Sequence, residues 1–183
     1  IQSAIDIGSD RSMQADIEFG LWQLNDIALR ALSPGVNVPN TAIDVIAHLG
    51  AVLATLLRRD LPAKALCDAD ARQLLRPLER QKRDFIAAAF NQIRSNAGTQ
   101  PEVIQALLET LGTLLTIARE RREEACVQMI REQAQLTLIS ARRMSLLPYD
   151  LRRIQATAIQ TGLERDDGST GDQNPESSAT SNR

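Results

Sequence analysis

Apolar residues recur at intervals of three and four along most of the chain, which is the period of amphipathic helices. The first such segment covers residues 11–32, with Ser12 as the expected N-cap. It carries two apolar stripes on roughly opposite sides: Ile17, Leu21, Leu24, Ala28 and Ala31 form the first, and Phe19, Trp22 and Leu29 form the second. A helix that is apolar on two sides is usually covered on both. We therefore expect a central core helix, or a second stripe that docks on a partner or on a missing segment.

The same period predicts four further main helices and one or two short ones. The main helices cover 40–58, 84–96, 101–119 and 123–144, a short last helix covers 148–161, and 68–75 is a possible short helix. Gly98 is expected to end the third helix, and Thr99 to cap the fourth, whose first turn holds Pro101. No strand alternation of convincing length is visible. The fold class is therefore predicted to be all-α, a helical bundle.

From Gly162 onward the sequence consists mainly of Gly, Ser, Asp, Asn and Thr. Such a segment buries too little apolar surface to offset its ordering entropy, so disorder is expected. The predicted organisation is a helical domain over residues 1–163 and a polar tail over 164–183. The tail has five acids and two arginines, a charge of −3, so the body carries −2 − (−3) = +1.

A near-neutral body gives no general attraction to nucleic acid or to anionic lipid. The basic doublets, among them Arg152–Arg153, are interleaved with acids, and only Tyr149 is an aromatic beside one. We therefore expect ordinary surface charge and no nucleic-acid partner. No apolar run approaches the length of about 18 residues that a membrane span requires, and no signal peptide is visible.

Residues with catalytic or metal-binding chemistry are sparse. Cys67 and Cys126 lack metal-type or redox spacing, and the one histidine, His48, is expected to pair with Asp44 on a helix surface. Neither a nucleophile elbow, a P-loop nor a dinucleotide-binding glycine pattern occurs. We expect a protein that is not an enzyme and that uses no metal or cofactor.

Polar residues cluster where the first helix meets the second. Asp26 and Arg30 stand four residues apart and can pair along the helix. Pro34–Gly35 is expected to end the first helix, and Pro39 to start the second. Two interpretations stay open: a structural Asp26–Arg30 pair, or a small-anion site at the start of the second helix. The candidate ligand-binding residues are Arg11, Asp16, Asp26, Arg30, Asn37 and Thr41.

The same stretch carries a family resemblance. "RSMQADIEFGLWQLNDIALRALSPGVNVPNTA" resembles the pattern R-T-x-x-Q-D-x-x-F-G, D-I-A-x-R-A-L-S-P and N-D-P-x-T-A of the predicted bacterial inner-membrane proteins grouped as domain of unknown function 2254. Ser12, Ala15 and Val38 depart from that pattern. Val38 takes the N-cap position of the second helix, where Asp or Asn typically adds about 1 kcal/mol of stability.

The resemblance implies a membrane-spanning region upstream of this chain, which starts at Ile1 rather than Met. It implies that this chain is the C-terminal portion on the cytoplasmic side. The leading hypothesis is a non-catalytic interaction or regulatory domain whose Phe19–Trp22–Leu29 stripe contacts the upstream region or another copy. The alternative is a sensor or transport-associated domain that binds a small anion.

Overall fold

The structure, a computed structural model, describes residues 16–61, 65–67, 73–75 and 80–164. Within these residues, six helices confirm the all-α prediction. The elements in chain order are α1 (Ile17–Leu32), α2 (Pro39–Arg58), β1 (Ala65–Cys67), β2 (Gln73–Leu75), α3 (Lys82–Asn96), α4 (Pro101–Glu120), α5 (Glu124–Arg143) and α6 (Pro148–Gln160).

The central helix of the bundle is α4. It packs against α2, α5 and α6. Helix α1 lies across α2 and α3, and α3 also packs against α5. The buried residues of α4 spread over more than half of the helix circumference: Val103, Ile104, Leu107, Leu108, Leu111, Gly112, Leu114, Leu115, Ile117 and Ala118. The remaining face is exposed and polar, with Glu102, Glu109 and Arg119 among its residues. A helix with so wide an apolar face packs against several neighbours at once.

The first helix is therefore not the central core helix that its two stripes suggested. One face of α1 is buried, at Leu21, Asn25, Ala28 and Ala31, because α2 and α3 cover it. The second stripe faces outward, and the Trp22 side chain is 62% exposed. The interpretation of α1 as a helix covered on both sides is therefore wrong, and docking of the second stripe on a partner or on a missing segment stays a prediction.

Composition alone makes α2 a candidate membrane span, which corrects the expectation that no apolar run is long enough. Among the described helices, α2 is the one with sufficient length and apolar character. It is nevertheless buried against α1 and α4 along one side, at Ala42, Val45, Ile46, Leu49, Gly50, Leu53, Leu56 and Leu57. The core helix of a folded domain meets the same length and composition criteria, so those criteria do not assign α2 to a membrane.

Some local features differ from the predicted ones. The carboxylate of Asp16 caps α1 by accepting from the Phe19 N–H at 3.2 Å, and Ser12, the predicted N-cap, lies outside the described residues. Gln100 rather than Thr99 is the N-cap residue of α4, and its side chain makes no capping bond. His48 Nδ1 lies 2.7 Å from the Asp44 backbone carbonyl oxygen, so the histidine contacts the helix backbone rather than the carboxylate.

Strand β2 replaces the end of the possible helix over 68–75, and residues 68–72 of that prediction lie outside the described residues. Leu66 of β1 pairs with Leu74 of β2. The predicted tail over 164–183 lies outside the described residues except for Glu164, whose carboxylate pairs with Arg142 at 3.3 Å. Val38 is the N-cap of α2 as predicted, and it provides no side-chain hydrogen bond to the helix.

Candidate functional site

The predicted ligand-binding residues are distributed along α1 rather than gathered at one point. Arg11 lies outside the described residues, and Asp16 begins α1. Asn37 and Thr41 lie beyond its other end, and a helix of 16 residues is about 24 Å long. The structure thus separates Asp16 from Asn37 and Thr41, and the anion site at the second helix stays a prediction.

Three of the predicted side chains near the α1–α2 corner already have partners. Arg30 and Asp26 form the predicted i,i+4 pair at 2.8 Å on an exposed surface. Such pairs contribute about 0–1 kcal/mol. Asn37 has a φ of 46°, and its Oδ1 accepts from Gln100 Nε2 at 2.9 Å, which ties this corner to the start of α4.

A cleft of about 420 Å³ opens between α1 and α3, on the side where the second stripe of α1 begins. Phe19, Leu21, Trp22 and Ala88 form its apolar walls. The ring centroids of Phe19 and Trp22 are 6.3 Å apart. Leu29, the third residue of the predicted stripe, does not line this cleft and is half-buried two turns further along the helix. The predicted interface is therefore divided, with Phe19 and Trp22 at the cleft.

The floor of this cleft carries a buried hydrogen-bond acceptor. Asn25 is only 3% exposed. Its Nδ2 donates to the Ala88 carbonyl at 2.9 Å, which fixes the orientation of the amide. Its Oδ1 is buried and accepts no hydrogen bond from the described residues. Leaving such an acceptor unpaired costs about 1–3 kcal/mol. Because the oxygen has almost no accessible surface, a donor can reach it only when the side chains that cover it move.

Charged and amide groups surround the opening of the cleft. Glu18 and Arg80 form an ion pair at 2.7 Å, and both line the opening. Asn91 Oδ1 accepts from Gln133 Nε2 at 2.8 Å, which connects the cleft wall to α5. The cleft thus combines a large exposed aromatic, apolar walls and one buried acceptor, a combination that suits a ligand or segment with an apolar side chain and an N–H or O–H donor.

A second polar cluster lies where α2 ends and α3 and α5 begin. Lys82 is 6% exposed, and its ammonium donates to the Leu57 carbonyl at 3.3 Å and to Glu123 Oε1 at 2.5 Å. A cleft of about 390 Å³ adjoins this pair and is also lined by Cys126 and Arg83. No group of three or more potential metal ligands occurs among residues 16–61 and 80–164. The cluster joins three helix ends through one buried cation.

The sequence-based search missed Asn25 and Lys82 as site residues. Asn25 occupies a core-face position of α1, between Leu21 and Ala28. A polar residue in an apolar stripe is a recognisable signal, because it needs a partner when it is buried. Lys82 has no comparable signal, because it sits in a run of charged and polar residues just before an apolar pattern.

Burial raises the pKa of the Cys126 thiol to about 11, and the Glu123 carboxylate contributes to the increase. The folded protein therefore keeps the Cys126 proton at a pH at which the unfolded chain, with a thiol pKa of 9.0, has lost it. The free energy of unfolding should consequently fall as pH rises from about 9 to about 11.

In a Cys67→Ser background, we expect the contribution of Cys126 to the free energy of unfolding to fall by about 2 kcal/mol as the pH rises from 8 to 10.5. Urea titrations at both pH values measure this change. A Cys126→Ala variant in the same background removes the contribution and serves as the control. Equal pH dependence with and without the thiol contradicts the expectation.

Comparison with known proteins places the cleft in a shared segment. The family described as "Predicted membrane protein (DUF2254)" matches residues 1–113, which include every residue that lines the α1–α3 cleft. Uncharacterised proteins of Mycobacterium bovis and of two Mycobacterium tuberculosis strains are each 40% identical over 110 residues, which is 60% of this chain. The chain spans only 21% of the length of these relatives. No solved structure matches the chain.

Proposed function

Because the chain belongs to the DUF2254 family of predicted membrane proteins, we propose that it is a non-catalytic interaction domain on the cytoplasmic side of the inner membrane. In this proposal, the α1–α3 cleft receives a segment from the remainder of the same protein. The observation that carries the proposal is the exposed Trp22 ring beside the buried Asn25 acceptor.

The chemistry of the cleft favours a peptide segment as its occupant. Tryptophan is among the residues that contribute most to protein interfaces, since it buries a large area with little loss of side-chain freedom. A main-chain N–H adjacent to an apolar side chain supplies the donor that Asn25 Oδ1 lacks among the described residues, provided that docking moves the side chains that cover this oxygen. Exclusion of water from the cleft strengthens that hydrogen bond.

Family membership favours the same protein as the source of the segment. The relatives consist mostly of sequence outside the part that matches this chain. A segment tethered to the domain reaches a high effective concentration, so a cleft of modest affinity is filled without a separate partner. A second copy of the chain lacks this advantage, and its contribution can be tested.

A cysteine scan tests whether the cleft is covered in the full-length protein. In a background with Cys67→Ala and Cys126→Ala, we expect Trp22→Cys to react with a maleimide about tenfold more slowly in the full-length protein than in the isolated chain, as a docking free energy of about 1.4 kcal/mol predicts. Gln128→Cys, exposed on α5, is the matched control and should react equally in both. Equal reactivity at position 22 contradicts docking.

Two further measurements separate the remaining alternatives. A membrane-impermeant maleimide should label Gln128→Cys in inverted vesicles and not in intact cells, and the reverse pattern contradicts a cytoplasmic position. Light scattering of the isolated chain beside a Trp22→Ser variant tests self-association. A dimer that Trp22→Ser dissociates assigns the cleft to a second copy instead of a tethered segment.

A further inference from the structure

The outer face of α6 is aromatic and cationic. Ile154 and Ala158 are the buried residues of this helix. Tyr149, Arg152 and Arg153 lie on the opposite side at i, i+3 and i+4 and are all exposed. The guanidinium carbon of Arg153 is 5.7 Å from the centroid of the Tyr149 ring, so the positive charge and the aromatic ring form one continuous surface.

Acidic residues do not interrupt this face within Pro148–Gln160. The one acid of α6 is Asp150, which is half-buried and lies about 100° around the helix from Tyr149. The near-neutral charge of the whole body, which argued against general attraction to anions, therefore conceals a local excess of positive charge. The local charge is the one that a charged surface senses, because interactions beyond the Debye length of about 8–10 Å are screened.

Apolar surface is exposed next to these charges. Leu147, the N-cap residue of α6, is 68% exposed, and Tyr149 is 60% exposed. Pro148 between them holds the turn rigid, since its ring fixes φ. Two large apolar side chains therefore project from one rigid corner with two arginines beside them.

We propose that this α6 corner, consisting of Leu147, Tyr149, Arg152 and Arg153, binds an anionic lipid surface. The arginines contact lipid phosphates, and Leu147 and Tyr149 enter the interfacial region, where tyrosine is enriched in membrane proteins. An exposed aliphatic residue gains little from a nucleic-acid phosphate backbone but gains from burial in lipid. This favours lipid as the partner.

The proposed lipid contact is independent of the proposed docking cleft. The corner lies outside residues 1–113, the segment that the family matches, and it belongs to α6, which has no contact with α1. Failure of either proposal therefore leaves the other in place. Together they describe a domain with one surface for its own protein and another for the bilayer.

Vesicle sedimentation at low ionic strength tests the charge contribution with the intact 183-residue chain. We expect binding to vesicles of phosphatidylcholine and phosphatidylglycerol (3:1) and much weaker binding to pure phosphatidylcholine. Arg152→Gln with Arg153→Gln should weaken binding roughly 25-fold, about fivefold for each arginine. Arg58→Gln with Arg59→Gln removes the same charge from another exposed doublet and is the matched control. Equal losses from the two doublets overturn the proposal.

Fluorescence tests whether the apolar residues enter the bilayer. The chain has one tryptophan, so Trp22→Phe combined with Tyr149→Trp places the only indole at the corner. A blue shift of its emission on addition of the anionic vesicles supports insertion. Leu147→Ser should reduce binding without loss of α6, because serine is favoured at an N-cap. Binding without a blue shift, or preferential binding to a single-stranded oligonucleotide, overturns the lipid assignment.

Discussion

Replacing Lys82 with methionine should lower the free energy of unfolding by about 3 kcal/mol, the lower end of the range for breaking a buried ion pair. Methionine retains most of the buried volume. It leaves the Glu123 carboxylate without its cation and removes a donor from the Leu57 carbonyl. The Glu123 side chain remains about one third exposed, so water partly rehydrates it and limits the loss.

A double-mutant cycle separates the ion pair from the loss of packing. We expect Glu123→Gln to recover about 1 kcal/mol in the Lys82→Met background, because a neutral amide is less costly than an unpaired carboxylate. Arg83→Met is the matched control at the neighbouring position, where the side chain is exposed and its partner Asp84 is 3.7 Å away. Its effect should stay within about 0.5 kcal/mol. Urea unfolding measures the free energy of unfolding of Lys82→Met, of Glu123→Gln, of the double variant and of Arg83→Met. Strictly additive effects of Lys82→Met and Glu123→Gln contradict a coupled pair.

Replacing Gly50 with alanine should destabilise the protein by about 1–2 kcal/mol, although helix propensity alone predicts a gain of about 1 kcal/mol. Gly50 lies in α2 at its contact with α4. A Cβ atom there falls 2.6 Å from the Thr110 Cγ2 methyl, far inside van der Waals contact. Threonine has only two favoured χ1 rotamers in a helix, so either Thr110 leaves its present rotamer or the two helices separate.

The sign of this effect should reverse when the opposing methyl is removed. Thr110→Ser deletes Cγ2, and the next Thr110 atoms lie at 3.8 and 3.9 Å from the added Cβ, which is ordinary contact. In that background we expect Gly50→Ala to stabilise the fold by up to about 1 kcal/mol. Denaturant midpoints with unchanged slopes would show this reversal. If Gly50→Ala instead stabilises the otherwise wild-type chain, Thr110 does not clash with the added Cβ and the prediction is wrong.

Local sequence was sufficient to place most helix boundaries. The second helix was predicted to end at Arg58 and the third at Asn96, and both do. Pro101 occupies the first helical position of α4 as expected. These features depend on neighbouring residues only: the apolar period, the fixed φ of proline and the freedom of Gly98, whose φ is 56°.

Short elements and individual caps were less predictable from the sequence. Two strands of three residues hold too few positions for alternation to be recognised. The predicted N-cap Thr99 and the observed N-cap Gln100 are adjacent, and helix ends are commonly uncertain by one or two residues.

Tertiary contacts decided which surfaces became core and which became sites. The two stripes of α1 have similar apolar character, and only the positions of α2 and α3 determined that Leu21 faces inward and Trp22 outward. Likewise, the partners of Asn25 and Lys82 come from 25 to 63 residues away in the chain. The periodicity of the sequence by itself determined that this protein is a bundle of helices, because helix formation responds to residues within a turn or two. Only the folded arrangement decided which helix is central and where the cleft and the buried lysine lie, because burial depends on neighbours that are distant in sequence.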